Sequence, residues 1–395
     1  MKQKAGKPSD APVQRETGTA LLRAAQTRRQ VREAAAVVLR QIALILFALL
    51  LATAFLALSR YDAFAILEGL WNSLTQDLAG TIRWSIPLIL AGLAICVTYK
   101  AEIYNLGVDG QILIGAVAAT AVALSLPEMP NALALTIVFL SAMLGGALMA
   151  LIPGALKVLF NTDEVVSTLL LNFLAEFFLM YLIVGPMRDP AAAMRYNASA
   201  LLPEYTWLPR FQVFAPSTAN VGLYIALAVA AIMVFLFYKT RLGYEIRIVG
   251  ANANLARYGG MNPNRLTITV MLISGAIAGI IGAIEVCAVQ HKLIAGFNPG
   301  FGFDGIVISL LANNNPVGVV FSGFFLGLLY NGGINMERFT DVPSAMTDIV
   351  MAIIIITISA KLALPLLKKR YLGKRGKDTQ RGTECSPQQT EGEGE

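Results

Sequence analysis

Four acids sit within or at the edge of long apolar runs: Asp109, Glu176, Glu285 and Asp304. A carboxyl group in hydrocarbon surroundings is costly, and by default it faces a polar pathway or a partner. Asp109 and Asp304 both lie beside glycine, in Gly107-Val-Asp-Gly-Gln-Ile-Leu and Gly302-Phe-Asp-Gly-Ile-Val-Ile. Glycine lets a backbone unwind and present its own polar groups at such a point. The same pattern suits a plain helix-start cap near the membrane surface, and the residues alone leave both readings open.

Thr168, Asn172 and Glu176 are spaced to share one helix face. They read either as hydrogen-bonding glue between packed helices or as a stripe facing a solute. Residues 274–285 run Ser-Gly-Ala-Ile-Ala-Gly-Ile-Ile-Gly-Ala-Ile-Glu. The Gly275–Gly279 pair predicts close approach of another helix, and Glu285 is the residue that packing leaves unexplained.

Other chemistries are poorly supplied. Gly-Lys occurs at 6–7, 373–374 and 376–377, never followed by Ser or Thr, so a phosphate-cradling loop is missing. No Ser, Cys or His constellation suggests hydrolysis. Cys96, Cys287 and Cys385 have no metal-type spacing and His291 is the one histidine, so neither a disulfide framework, a metal site nor a cofactor site is expected.

The elements that must position the acids are membrane spans. Of 395 residues 56% are hydrophobic and 14% charged, and the apolar residues fall in runs long enough to cross a bilayer. Spans are predicted at 38–59, 84–99, 106–126, 131–156, 164–185, 220–238, 267–289, 302–312, 317–333 and 345–364. The result is an all-α polytopic membrane protein of about ten helices, some short or broken. The transmembrane domain is expected over 37–366, between a basic tail at 1–36 (with a possible interfacial helix at 18–34) and a polar tail at 367–395.

Residues 1–40 hold nine Lys or Arg against three acids, and residues 361–395 hold eight Lys or Arg. These basic ends mark a cytoplasmic side rather than a nucleic-acid partner, so both termini are expected inside and the span count even. The 239–266 loop then lies inside with Lys239, Arg241, Arg247, Arg257 and Arg265, and the 186–218 stretch outside. On this count the two Gly-x-Asp-Gly runs point in opposite directions, as in an inverted-topology repeat. Within the loop, Asn254 is expected to cap a short helix over 255–258 ended by Gly259 and Gly260. Such an element suits docking of a partner.

Four segments together carry a family resemblance. They are Glu102-Ile-Tyr-Asn-Leu-Gly-Val-Asp-Gly-Gln-Ile-Leu-Ile-Gly, Asn161-Thr-Asp-Glu-Val-Val-Ser-Thr-Leu-Leu-Leu-Asn, the 239–266 loop, and Gly300-Phe-Gly-Phe-Asp-Gly-Ile-Val-Ile-Ser-Leu-Leu-Ala-Asn-Asn-Asn-Pro. Over residues 40–365 the chain resembles the permease subunits of bacterial nucleoside and simple-sugar ABC importers, relatives of the ribose and branched-chain amino acid permeases. The family often has Glu where this chain has Asp109, and Glu176 is outside its pattern. The resemblance implies a chain without a catalytic site of its own, in the bacterial inner membrane and in contact with lipid. It implies three partners: an ATPase subunit, a second permease and an extracytoplasmic solute-binding protein. Expected pathway residues are Asn105, Asp109, Gln111 and Asn172 in the first half, and Glu285, Phe303 and Asp304 in the second. Asn254, Leu255, Ala256, Arg257 and Tyr258 are expected to couple to the ATPase, with Leu255 and Ala256 filling a cleft in it. The rival reading is a proton-coupled secondary transporter, which would need no such loop.

Overall fold

A computed structural model describes residues 46–357, apart from 63, 190–196, 213–217 and scattered positions between 341 and 355. The two tails, the expected interfacial helix at 18–34 and much of the 345–364 span lie outside the described residues.

The described chain is a helical bundle. Its helices are α1 (Leu46–Leu58), α2 (Ala65–Thr75), α3 (Leu78–Lys100), α4 (Val108–Ser125), α5 (Asn131–Phe160) and α6 (Glu164–Val184). After the stretch 185–221 come α7 (Gly222–Lys239), α8 (Arg241–Ala251), α9 (Ala253–Tyr258), α10 (Pro263–Ile284, continued by a π-helical turn Glu285–Gln290), α11 (Phe301–Leu311) and α12 (Pro316–Phe339). Seven of them are long and apolar enough to cross a membrane, while α1 and α11 are shorter apolar helices.

Two expected boundaries move. The second span begins at Leu78 instead of residue 84, because the Asp77 side chain caps the helix on Gly80 N at 2.9 Å and Arg83 is accommodated within it. The 239–266 loop holds two helices, and the short one is capped by Asn252, not Asn254. The Asn252 side chain accepts from the N–H groups of Asn254 (3.0 Å) and Leu255 (3.1 Å). An asparagine at the position before the first helical residue is the better acceptor for those orphan donors.

Helices α3 and α10 form the centre, with nearly every residue from Ser85 to Thr98 and from Ser274 to Ala288 buried. Around them the packing is two-fold in pattern: α3 lies against α11 and α12, as α10 lies against α4 and α5. The early Arg83 of α3 meets the late Glu285 of α10, so the two central helices are antiparallel. Close approach is built from glycine. A Cβ on Gly275 or Gly279 would run into the α5 backbone at Gly146 and Ala142, and one on Gly323 would lie 2.6–3.0 Å from Ile89 of α3. Packing of backbone on backbone is how helices associate where lipid is as apolar as the side chains. The outer sides of α5, α6 and α7 leave large apolar side chains exposed, among them Leu144, Phe177 and Phe235, as a lipid- or partner-facing surface requires.

At one end of the bundle, residues 198–210 bind the C-terminal end of α10. Leu208 N donates to Cys287 O (3.0 Å), Leu202 N to His291 O (2.9 Å), and the Arg210 guanidinium to Ala288 O (3.2 Å). The last carbonyls of a helix have no partner within it, and here a neighbouring segment supplies them. Trp207 stacks on His291 with ring centroids 4.1 Å apart.

Candidate functional site

The site is assembled where the first turns of α4 and α11 meet. Each helix is started by a nearby asparagine. Asn105 Oδ1 accepts from Gly107 N at 3.0 Å, and Asn298 Oδ1 accepts from Gly300 N (3.1 Å) and Phe301 N (3.0 Å). Gly300 has φ 108°, a backbone conformation that side-chain-bearing residues rarely adopt. Helix α6 clamps the start of α4 from the side. Asn172 accepts from Gly110 N (2.8 Å) and donates to Leu106 O (2.8 Å), while the Thr168 hydroxyl accepts from Leu106 N (3.2 Å).

Asp109 stands at the junction, 8% exposed. Its Oδ1 accepts from Asn298 Nδ2 and from Gly302 N, both at 2.8 Å. Among the described residues no hydrogen bond of ordinary geometry reaches its buried Oδ2. A buried acceptor is costly to leave unmade, so a free oxygen here calls for a role. Helix N-termini also carry partial positive charge, and two of them converge on this carboxyl.

A cavity of about 360 Å³ opens beside Asp109, within the size range of ligand pockets. Its walls are Leu113, Leu169, Asn172, Phe173, Glu176, Leu179 and Met180 on one side and Ala295, Gly296, Asn298, Pro299, Gly300 and Phe303 on the other. The Thr168–Asn172–Glu176 face therefore serves two purposes. Its first two members hold α4, and its last two line the cavity.

Of the seven residues expected on the pathway, Asp109, Asn172 and Phe303 line this cavity. Asn105 and Gln111 do not. They are fully buried, hydrogen-bonded to each other at 3.1 Å, and Asn105 also donates to Ser274 at 2.9 Å. Asp304 faces the other way and accepts from the Tyr330 hydroxyl at 2.6 Å. Glu285 is 1% exposed and paired with Arg83 at 2.8 Å. The Arg83 guanidinium lies 4.2 Å from the Trp84 ring centroid, and Trp84 stacks on Tyr330. Glu285, Arg83, Trp84, Tyr330 and Asp304 thus form one string joining α10, α3, α12 and α11. Sequence reasoning missed Asn298 and Arg83. Asn298-Pro-Gly reads as an ordinary turn, and its only signal is an asparagine ahead of a glycine-started apolar run.

At the opposite end, α9 turns Leu255 (62% exposed) and Tyr258 (92%) outward, and Arg257 is exposed as well. Ala256 is 0% exposed and belongs to the hydrophobic core. The expectation that Ala256 fills a partner's cleft is therefore corrected, since its methyl group packs inside the chain.

Comparison with known proteins agrees with this architecture. Residues 78–359 match the family described as branched-chain amino acid transport system / permease component. The chain is 37% identical over 279 residues to the glucose ABC transporter permease protein TsgB13 of Haloferax volcanii, covering 69% of this chain and 73% of that one. It is 34% identical over 325 residues to the guanosine ABC transporter permease protein NupP of Bacillus subtilis (80% and 91% covered). It is 30% identical over 302 residues to the nucleoside ABC transporter permease protein NupB of Lactococcus lactis (74% and 81%). A multi-pass helical bundle with converging helix starts, matched by the family model over both halves of its two-fold packing, is a membrane-spanning permease subunit, and the chain belongs to the branched-chain amino acid transport system permease family.

Proposed function

We propose that this chain forms one side of the translocation pathway of an ATP-driven importer, and that the cavity beside Asp109 is where the solute passes. The observation that carries this reading is Asp109, whose buried Oδ2 has no hydrogen-bond partner among the described residues, on the lining of a pocket that also holds Phe173 and Phe303. An unpaired acceptor between aromatic and aliphatic walls suits a neutral solute that presents hydroxyl or N–H donors. A nucleoside or simple sugar has that chemistry, and the names of the relatives point the same way.

The partners follow from the two ends and the flank of the bundle. The exposed side chains of α9, beside the basic residues of α8 and α10, suit an ATPase subunit on the cytoplasmic side. The apolar face of α6 suits a second permease, and the 198–210 plate suits a solute-binding protein outside. The protein then resides in the cytoplasmic membrane with its termini inside.

The test is uptake of radiolabelled guanosine into vesicles holding the complete transporter. Uptake requiring internal ATP and falling by at least about tenfold in Asp109→Leu supports the reading, the loss of one charged hydrogen-bonding group having that scale. Uptake by this chain alone on a pH gradient would refute it.

A further inference from the structure

The charge of the cavity wall has a consequence for what the pathway rejects. The wall carries two carboxyl groups, Asp109 and Glu176, and none of the described residues that line it is Lys, Arg or His. Glu176 is exposed at this surface. The amides are largely committed elsewhere: Asn172 to Gly110 N and Leu106 O, and Asn298 to Gly300 N, Phe301 N and Asp109. The carboxyl group exposed on this wall is that of Glu176, and Asp109 adds a buried Oδ2 with no partner among the described residues. Among the described residues Arg83 is held by Glu285 and Arg210 by Ala288 O and His291, and Lys292, three positions before Ala295, does not line the cavity.

A phosphate group needs cations or several aimed N–H donors to leave water. The described lining gives it no cation, the N–H groups at the two helix starts are already taken by Asp109, Asn172 and Asn298, and the wall adds two carboxyl groups that repel an anion. We infer that the cavity is an anion-excluding filter: it passes neutral or cationic donors and rejects phosphorylated forms of the same solute. The inference rests on the pathway reading above and adds a selectivity that the fold alone does not give. It also places import in a sequence of reactions. Nucleotide or sugar-phosphate material must first lose its phosphate by ester hydrolysis on the outer side, water entering at phosphorus and the free alcohol leaving, before this chain can carry the remainder.

The experiment reads charge directly and needs no uptake. Ala295, exposed on the cavity wall, is replaced by cysteine in the complete transporter in outward-facing vesicles. Labelling rates are compared for a trimethylammonium-bearing and a sulfonate-bearing methanethiosulfonate of similar size, with background from the native cysteines measured on the unsubstituted chain. The cationic reagent is expected to react at least about tenfold faster than the anionic one relative to their rates on free thiol, the scale on which a charged cleft concentrates counter-ions. In Asp109→Asn with Glu176→Gln the ratio should fall to near one. Glu176→Gln alone, at an exposed position, should lower it partway and covers the case in which the double variant fails to insert. A cysteine at Leu201, 61% exposed on the outer segment, should show little preference. Equal or faster reaction of the anionic reagent at Ala295→Cys overturns the filter while leaving the pathway in place. Failure of both reagents to reach Ala295→Cys removes the pathway reading itself, and the filter with it.

Discussion

The backbone N–H of Gly302 lies 2.8 Å from Oδ1 of Asp109, so the second Gly-x-Asp-Gly motif donates to the carboxyl group of the first. The two motifs are 193 residues apart in the chain and in direct contact in the fold. The glycine is required sterically as well, since a Cβ at Gly302 would sit 2.7 Å from Asp109 N and 2.8 Å from its carboxyl carbon.

Gly302→Ala is therefore expected to push the starts of α4 and α11 apart. Overpacking of this kind costs about 1–3 kcal/mol, which the long helices can absorb. Membrane content should stay within about half of wild type by immunoblot, while guanosine uptake at matched content falls by at least about tenfold. Unchanged uptake would show that the motif contact is not needed for transport.

Replacements of Asp109 should separate support from solute contact. Asn keeps an oxygen for Gly302 N–H and Asn298, whereas Leu strands both donors at about 1–3 kcal/mol each. Detergent-solubilised Asp109→Leu should melt several degrees below Asp109→Asn, and both should lose uptake. Equal melting of the two would mean that the hydrogen bonds to Oδ1 carry no stability.

On α9 the exposed and buried positions should behave differently. Tyr258→Glu and Leu255→Glu are expected to insert normally, yet to lose most of the ATPase stimulation caused by loaded binding protein, since a few anchor side chains dominate an interface. Ala256→Glu should instead lower the amount of folded permease, because it buries a charge. Normal stimulation in Tyr258→Glu and Leu255→Glu together would move coupling to another loop.

The Arg83–Glu285 pair is suited to a double-mutant cycle. Arg83→Met or Glu285→Leu alone leaves a buried charge without its partner, a loss of about 3–5 kcal/mol, and the double replacement should recover much of it. Thermal melting of the four proteins in one detergent gives the coupling. Additive losses would show that the pair does not act as a unit.

His291 is expected to make the 198–210 segment sensitive to acid. Arg210 approaches its Nε2 at 2.7 Å as a donor, which requires the neutral ring. Burial first, and the Arg210 charge second, hold His291 below the usual histidine value of 6.5, against a weaker opposing pull from the Cys287 carbonyl. The unfolded chain then binds the extra proton first as pH falls. This contribution is complete above pH 6.5 and declines below it, down to the lowered folded value. Tryptic cleavage at Arg210, corrected for trypsin's own rate at each pH on an unfolded substrate, should accelerate as pH falls below 6.5, and His291→Asn, which tolerates the residue's φ of 55°, should abolish that pH dependence. A pH-independent cleavage rate in wild type would dismiss the idea.

The fold was legible in the sequence where apolar length decides the outcome. The runs at 106–126, 131–156 and 164–185 match α4, α5 and α6 to within a few residues, because about 20 apolar residues leave few alternatives in a bilayer. The start of α3 was not legible, since Arg83 interrupts the run and only a carboxyl group 202 positions later explains it. The site was half legible. Asp109 was marked by its cost in an apolar setting, but which oxygen is satisfied, and by whom, depends on contacts between distant segments. Asn298 carries no cost in a loop and so gave no signal. Ala256 was misread because a six-residue helix has too few turns for its apolar face to be assigned from spacing.

The Arg83–Glu285 contact also constrains how the protein is made. At roughly 5–20 residues per second the ribosome needs roughly 10–40 s to travel from one partner to the other. Throughout that interval the Arg83 guanidinium, in the second turn of α3, is without its carboxyl partner and reaches for the membrane surface along its own stem. The centre of the permease is thus completed only when its second helix, α10, has been made.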